Sequence, residues 1–292
     1  MSNTWTPLRY PGGKQRLTPF IEEIILENGL YGCNYVEPYA GGAGVAMQLL
    51  VNEVVSCVHL NDVSKPVYAF WHTVKNNPEE LCRCISRASL NVEEWKRQRD
   101  IVRMHDKVPL FDLGYAMFYL NRCNRSGILT GGLIGGLNQA GKWKMDARFY
   151  RNELIRRIEA IAEKAKAIRL RNWDAERFMS DYLPRLPKNT LVYCDPPYFN
   201  KAETLYKNHY TPDDHYRISK LIQKKIRQPW VVSYDSNPSI LSYYEKCEVF
   251  TYSLQYNAAK AYTGTEVFAF SDRLRVPESS SLRFIDEALR PN

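Results

Sequence analysis

Tyr35-Val36-Glu37-Pro38-Tyr39-Ala40-Gly41-Gly42-Ala43-Gly44 is the stretch whose reading decides the fold. A short strand over 35–37 runs into a loop with three glycines, and a helix begins at 43–51. Strand, glycine-rich loop and helix in that order open a parallel α/β sheet. Glycines let a backbone approach a ligand closely, and the helix start behind them offers free N–H groups. A second strand, 56–60, ends in Asn61-Asp62. An acidic residue about twenty positions past such a loop can bond the ribose hydroxyls of a nucleoside. Loop and acid together point to a nucleoside ligand, although the loop lacks the G-x-G-x-x-G spacing of a dinucleotide site.

Outward from that unit, 15–29 reads as an amphipathic helix with Leu17, Phe20, Ile21, Ile24 and Ile25 on one side, and 66–75 as the helix after the second strand. Residues 79–121 read as successive helices rich in Arg and Lys. Residues 122–146 hold six glycines and read as a loop or hairpin. Alternation then returns: a helix over 154–166, strands over 167–171 and 191–194, and further strands over 230–233, 249–254 and 267–271. Thr211-Pro212-Asp213-Asp214 starts a helix with a Thr cap, Pro at the first position and an acidic first turn. The expectation is a sheet domain in two parts, 1–74 and 151–276, interrupted by an insert at 75–150. A Ser- and Arg-rich tail, 277–292, is expected to be mobile.

The net charge of +8 is unevenly spread. Residues 71–170 carry 19 Lys and Arg against 11 Asp and Glu, and residues 201–230 carry 7 against 3. Such asymmetry suits a polyanion such as nucleic acid, and equally a solvated basic face. The seven cysteines include no C-x-x-C pair and read as free thiols, and the histidines do not join them at zinc spacing, so no metal site is expected. The polar start and the absence of any long apolar run lead to the expectation of a cytoplasmic protein.

A second motif, Asp195-Pro196-Pro197-Tyr198, directly follows the apolar run Leu191-Val192-Tyr193-Cys194. The proline pair fixes the backbone just past the strand's C-terminal edge, where open α/β sheets bind ligands. Proline has no N–H, so an ionised Asp195 and the Pro196 carbonyl present only acceptors, and an aromatic follows at once. That combination suits gripping an amino group by its hydrogens while stacking on its ring; a strand-ending loop with a packed Tyr is the plainer reading. The third motif, Pro7-Leu8-Arg9-Tyr10-Pro11-Gly12-Gly13-Lys14, is either a capped turn or a cation and an aromatic set near an anionic ligand.

In this order the motifs resemble the Dam-type adenine-N6 DNA methyltransferases, the α-group enzymes with a D12-class domain. The resemblance runs from about residue 7 to 272. Besides the three motifs it takes in Leu60-Asn61-Asp62, Tyr119-Leu120-Asn121-Arg122 and Glu266-Val267-Phe268-Ala269. It implies a Rossmann-like sheet with an inserted helical or hairpin DNA-recognition domain, and S-adenosylmethionine as methyl donor. It also implies that Tyr10, Lys14, Glu37, Tyr39, Ala40, Gly41, Asp62 and Asp195 hold that donor. Asp195 and the Pro196 carbonyl then grip the adenine amine, and Tyr198 stacks on a base flipped out of the duplex. Trp173 is a second candidate wall, weighed equally against core packing.

The insert is expected to carry recognition of double-stranded DNA through Arg122, Asn124, Arg125, Ser126, Thr130, Asn138, Gln139, Lys142 and Lys144. GATC-specific relatives carry a Tyr and an Arg where this chain has Arg125 and Thr130. Lys142-Trp143-Lys144 and Arg148 look instead like those of a phage or restriction-type relative. The expected enzyme is bacterial or phage-borne, a monomer or weak dimer. The competing readings are a cytosine-N4, RNA-adenine or protein-amide methyltransferase, and a catalytically silent DNA-binding subunit of a restriction or defence system. Cytosine-N4 enzymes usually have Ser before the proline pair and amide enzymes Asn, so Asp195 favours adenine.

Overall fold

In the computed structural model, which describes residues 4–10, 14–199, 210–257, 261–277 and 284–286, strand β1 (Asn34–Glu37) lies between two parallel partners. β2 (Cys57–Asn61) is on one side and β4 (Thr190–Cys194) on the other. β3 (Ile168–Arg171) extends the parallel sheet beyond β2, and β5 (Trp230–Asp235) extends it beyond β4. β7 (Ala261–Phe270) then pairs antiparallel with β5, β6 (Glu248–Asn257) with β7, and β8 (Phe284–Asp286) with β6. The order is β3-β2-β1-β4-β5-β7-β6-β8. The chain therefore builds outward from β1 through β2 to β3 and then crosses to β4. The direction of building reverses between β1 and β4, and the crevice past their C-terminal ends is where such sheets take ligands.

Strand side chains alternate between two cores. Tyr35, Tyr193 and Phe268 enter one, and Val36, Val192 and Val232 the other. The first core is covered by α1 (Thr18–Glu27), which follows a short turn Lys14–Leu17, and by α2 (Gly44–Val51). The buried stripe of α1 includes Phe20, whose ring lies 5.2 Å from that of Phe268. Helices α3 (Lys65–Asn76), α4 (Pro78–Arg87), α5 (Val92–Arg103), α6 (Leu110–Cys123) and α7 (Arg151–Glu163) continue on this side. The second core is closed by the short turn α8 (Ala175–Arg177), by α9 (Pro212–Lys225) and by α10 (Pro238–Tyr243). The expected Thr211 cap of α9 is present as a full capping box with Asp214. Among the described residues no helix is long and apolar enough to cross a membrane.

The insert divides in two. Its helical half is not a separate body: Leu81, Ile85, Trp95, Met117 and Phe118 share one core with Tyr35 and Val58. Amphipathic helices whose apolar stripe meets an existing sheet bury more surface there than in a small core of their own. Residues 124–150 form turns. Of the loop or hairpin expected there, the structure has a loop, with one isolated bridge, Asn124 with Leu133. Left-handed backbone at Ser126, Gly135, Gly136 and Gln139 breaks any longer ladder. Two other differences have plain causes. β7 begins six residues before its apolar run because its polar first half pairs with β6, and β8 lies within the segment read as a tail. The rest of 278–292, like Pro11, Gly12 and Gly13, lies outside the described residues.

Asn121, at the end of α6, fastens the N-terminal segment to this frame. Its Oδ1 accepts from the Arg9 amide at 2.8 Å, and its Nδ2 donates to the Arg9 carbonyl at 2.7 Å and the Gly127 carbonyl at 2.9 Å. Gly127 has φ +75°, and a Cβ there would come 2.1 Å from the Arg9 oxygen, so no larger residue fits. Asn121→Ala leaves these buried groups unpaired. The expected loss is about 3 kcal/mol of unfolding free energy, at the upper end of the cost of an orphaned buried polar group, read from the denaturant midpoint.

Candidate active site

The crevice between β1 and β4 is built from four segments. The first is the glycine loop. Gly41 sits at φ +46°, and a Cβ on it would come 2.6 Å from the Tyr10 ring; on Gly42 a Cβ would come 2.8 Å from Tyr10 Cβ. The loop is thus glycine because Tyr10 lies against it. Trp71 Nε1 donates to the Gly41 carbonyl at 3.0 Å and holds the turn from below. Glu37, at the end of β1, accepts from the Ala46 amide at the start of α2, 3.1 Å away. Burial pushes its carboxyl up to about 8, and among the described residues it has no cationic partner. Tyr39 turns the other way, its hydroxyl 3.2 Å from that of Tyr210, and Ala40 is fixed by its amide to the Asn61 carbonyl at 2.9 Å.

The second segment is the end of β2. Asp62 Oδ2 accepts from the Gly41 amide and Oδ1 from the Ser64 amide, both at 2.8 Å. One carboxylate therefore ties the glycine loop to the next loop and keeps a lone pair free on each oxygen. Burial raises Asp62 to about 6, against the pull of those amides.

The third and fourth segments meet at Asp195. Register sets Cys194 beside Val232, so Asp195 and Ser233 are near neighbours across β4 and β5. Ser233 Oγ donates to Asp195 Oδ1 at 2.8 Å and is itself 2.7 Å from the Tyr193 hydroxyl. Lys14 Nζ, from the turn before α1, stands 3.7 Å from the same Oδ1. The ammonium makes its direct ion pair with Glu266 Oε2 on β7 and donates to the Tyr198 hydroxyl at 3.1 Å. Tyr198 donates to Glu266 Oε1 at 2.9 Å, and Tyr252, paired with Glu266 across β6 and β7, donates to Oε2 at 2.5 Å. Lys14, Tyr198, Ser233, Tyr252 and Glu266 are buried; Asp195 keeps 26% of its side chain exposed, the part of the cluster that faces out. Burial raises Asp195 to about 6; Lys14 pulls it down, Glu266 pushes it up, and Ser233 pulls it down.

The structure thus brings Tyr10, Gly41 and Asp62 together, and joins Lys14 to Asp195 and Tyr198. Pro196 is buried behind Asp195. Trp173 is elsewhere: it follows β3, three strand positions from β4. Its backbone is held by Asn61, and the Arg177 guanidinium lies 4.4 Å from its ring centre. Tyr198, expected to offer its face, has its hydroxyl bound into the buried cluster.

Three expected DNA contacts serve the frame instead. Arg122 is buried, with Nε on the Arg148 carbonyl at 2.7 Å and Nη1 on the Pro7 carbonyl at 3.3 Å. Asn124 is buried, accepting from Trp95 Nε1 at 2.7 Å and donating to the Ile128 and Leu129 carbonyls. Gln139 spends its amide on the Ile134 and Gly136 carbonyls and the Met145 amide. These corrections share one cause: a turn-rich segment has many backbone groups that no ladder satisfies, and nearby polar side chains satisfy them. Arg125, Ser126, Thr130, Asn138, Lys142 and Lys144 are exposed. A cleft of about 160 Å³ lies among Arg9, Arg125, Arg148 and Trp143, and none of the three arginines meets a carboxylate among the described residues. Trp143 is 63% exposed.

Reading the sequence missed the roles of Ser233 and Tyr252, and met Arg9, Tyr193 and Glu266 only as parts of quoted motifs or runs. A signal existed for two of them. Ser233 interrupts the apolar run Trp230-Val231-Val232, and Glu266 is a lone acid entering Val267-Phe268-Ala269-Phe270. A charge or hydroxyl on a buried strand needs a partner.

A glycine loop over β1, an acid closing β2 and an acid-proline-proline-aromatic turn after β4, on one edge of a sheet with an antiparallel β6–β7 pair, define an α/β methyltransferase of the amino type. The chain matches the D12 class N6 adenine-specific DNA methyltransferase family over residues 10–268 and belongs to it; it is an adenine-specific DNA methyltransferase. It is 24% identical over 243 residues to the Type II methyltransferase M.MjaIII of Methanocaldococcus jannaschii, covering 74% of this chain and 78% of that one. It is also 24% identical over 257 residues to the Retron Ec67 DNA adenine methylase of Escherichia coli, covering 82% and 83%. A solved rRNA methyltransferase, aviRa from Streptomyces viridochromogenes, aligns with a TM-score of 0.39 and 13% identity over 90% of this chain and 87% of its own. Among the described residues no group of three His, Cys, Asp or Glu is placed to hold a metal.

The Asp195 carboxyl, followed by selective carbon-13 labelling, is expected to titrate near pH 6. Ser233 donates to the ionised form, so Ser233→Ala is expected to move the midpoint to higher pH. A midpoint that stays put, or falls, rejects the Ser233 bond as a determinant of Asp195.

Proposed function

We propose that the chain transfers a methyl group from S-adenosylmethionine to the N6 amine of an adenine flipped out of duplex DNA, with Asp195 as the central catalytic group. The observation that supports this most directly is the position of Asp195. It stands at the C-terminal edge of β4, at the reversal point of the sheet, with one oxygen occupied by Ser233.

The site residues fit the donor. Glu37, a buried acid without a cation among the described residues, suits an α-amino group. Asp62 keeps acceptor capacity for ribose hydroxyls. Gly41 and Tyr10 line the approach, with Tyr39, Ala40 and Lys14 completing the surround. When bound, S-adenosylmethionine supplies an electrophilic methyl on a cationic sulfur. Trp173, at the tip of β3 beside the Asp62 loop, then belongs to the cofactor's side of the crevice, and Tyr198 to the base's side.

The chemistry the chain must perform is to raise the reactivity of a poor nucleophile. The lone pair of an adenine amine is delocalised into the ring. Asp195 Oδ2 and the Pro196 carbonyl accept the two amine hydrogens, which favours a pyramidal nitrogen with its lone pair directed outward. As positive charge builds on that nitrogen, the same acceptors stabilise it, and preorganised groups of this kind act without reorganisation. The acid must be ionised, so kcat/KM is expected to fall as pH drops through the Asp195 midpoint.

The exposed turns of 124–150 are proposed as the DNA-facing surface. Arg9, Arg125, Arg148 and Lys142 supply cations around the exposed Trp143 ring that meet no carboxylate among the described residues. Cations of this kind bind phosphates and make affinity salt-dependent, and an accessible aromatic can stack on a base.

Purified protein is expected to move labelled methyl from S-adenosylmethionine to adenine in unmethylated duplex DNA; absence of transfer to every DNA offered defeats the reading. Asp195→Ala is expected to lose on the order of 3 kcal/mol of transition-state stabilisation, at least a hundredfold in kcat, while still binding cofactor. Neutralising Arg125 and Lys142 together is expected to flatten the slope of log affinity against log salt by about 0.9 for each phosphate no longer neutralised. An unchanged slope removes this surface from the DNA interface.

A further inference from the structure

We propose that Glu266 is a positioning residue that holds the Lys14 ammonium off Asp195, so that Asp195 keeps an open acceptor for the substrate amine. The inference rests on the reading of Asp195 given above and concerns what keeps that carboxylate usable.

Two carboxylates compete for one buried ammonium. Lys14 Nζ is in direct contact with Glu266 Oε2 but stands 3.7 Å from Asp195 Oδ1, beyond a hydrogen bond. Glu266 wins because the Tyr198 and Tyr252 hydroxyls bind its two oxygens and fix it against β6 and the catalytic turn. Asp195 takes its short hydrogen bond from Ser233, at 2.8 Å, and has Lys14 only as a longer ion pair. Were the ammonium to close on Asp195, it would occupy an acceptor lone pair and neutralise the charge that the amine hydrogens are to meet. At its present distance it still favours the ionised acid without using up its acceptor capacity. The arrangement explains why a fully buried glutamate stands at the head of the apolar run Val267–Phe270. It also links β7, outside the parallel part of the sheet, to the turn after β4.

The other titratable groups around Asp195 do not reproduce this effect. Tyr193 and Cys194 lie on its own strand, Tyr35 and Glu37 on β1, and Tyr252 on β6. All are acids that burial keeps in the neutral form to higher pH, so none offers a competing cation. Lys14 is the cation that faces Asp195 among the described residues.

The test is the isosteric Glu266→Gln substitution in the full chain, which keeps one of the two acceptor oxygens used by Tyr198 and Tyr252 and removes the charge. The ammonium then has Asp195 as its remaining carboxylate partner here. The expected result is a fall in kcat of about tenfold or more, with KM for DNA little changed. The acid limb of the pH–rate profile is expected to move to lower pH by about one unit or more, as for a carboxylate that gains a direct cation. In a Lys14→Met background, Glu266→Gln is expected to cost little more, because there is no ammonium left to misplace. Lys14→Arg, whose forked guanidinium can reach both carboxylates, is expected to reproduce the lowered acid limb; it serves as the test if Glu266→Gln does not fold.

A Glu266→Gln enzyme with an unmoved acid limb overturns the proposal, whether or not its rate has fallen. So does an undiminished penalty for Glu266→Gln in the Lys14→Met background. A failure of the underlying reading looks different: the unaltered enzyme transfers no methyl to DNA, or Asp195→Ala retains its rate.

Discussion

The buried ion pair between Lys14 and Glu266 is the interaction on which the site depends. Burying two charges is costly, and the mutual attraction offsets that cost only when the remaining donors and acceptors are also satisfied. Here Tyr198 and Tyr252 donate to Glu266, and Tyr198 also accepts from Lys14, whose ammonium stands 3.7 Å from Asp195. The pair draws together parts of the chain that no local interaction would join: the segment before α1, the turn after β4 and the antiparallel strands β6 and β7. Removing one partner of such a pair costs about 3–5 kcal/mol, so the same pair that organises the catalytic turn also closes the sheet over α1.

Around that pair, the sheet explains why chemistry collects where it does. Parallel strands leave their C-terminal ends on one edge. The reversal between β1 and β4 opens a crevice there, because the loop after β1 leads off toward β2 while the turn after β4 leads off toward β5. Glu37, Asp62 and Asp195 occupy three neighbouring strand ends on that edge. Each is an acid raised by burial, and they differ in what surrounds them. Glu37 meets an amide and, among the described residues, no cation; Asp62 meets two amides; Asp195 meets a hydroxyl and a distant ammonium. One edge of one sheet thus holds three acids suited to an ammonium, to hydroxyls and to an amine.

Much of this was legible in the sequence. Strand, glycine loop, helix and a second strand ending in Asp62 fall within residues 34–62, where local propensity and tertiary packing agree. The same holds for Leu191 to Tyr198, because a buried parallel strand is a short apolar run and the proline pair ends it. Legibility fails where long-range pairing decides. The polar half of β7 is a strand only because β6 lies beside it. Glu266 and Ser233 gain meaning only when β5 and β7 come to lie beside Asp195. Arg122, Asn124 and Gln139 read as groups for DNA because polar side chains on a glycine-rich segment look free, whereas unladdered backbone claims them first.

The charges of the cluster show how these parts fit one reaction. Lys14 carries one positive charge, Glu266 and an ionised Asp195 one negative charge each, leaving one negative charge in excess. A cationic methyl donor would bring the site to neutrality, and the transferred charge would move from sulfur toward the nitrogen gripped by Asp195. The excess charge therefore remains compensated along the reaction path, and the carboxylate that compensates it is the one left partly exposed at the crevice. A second ammonium would cancel that excess before the base arrived, and a Lys14 paired with Asp195 would leave it on Glu266, away from the crevice. The placement of a single proton-free oxygen thus depends on a glutamate on β7, some seventy residues along the chain from the turn it serves.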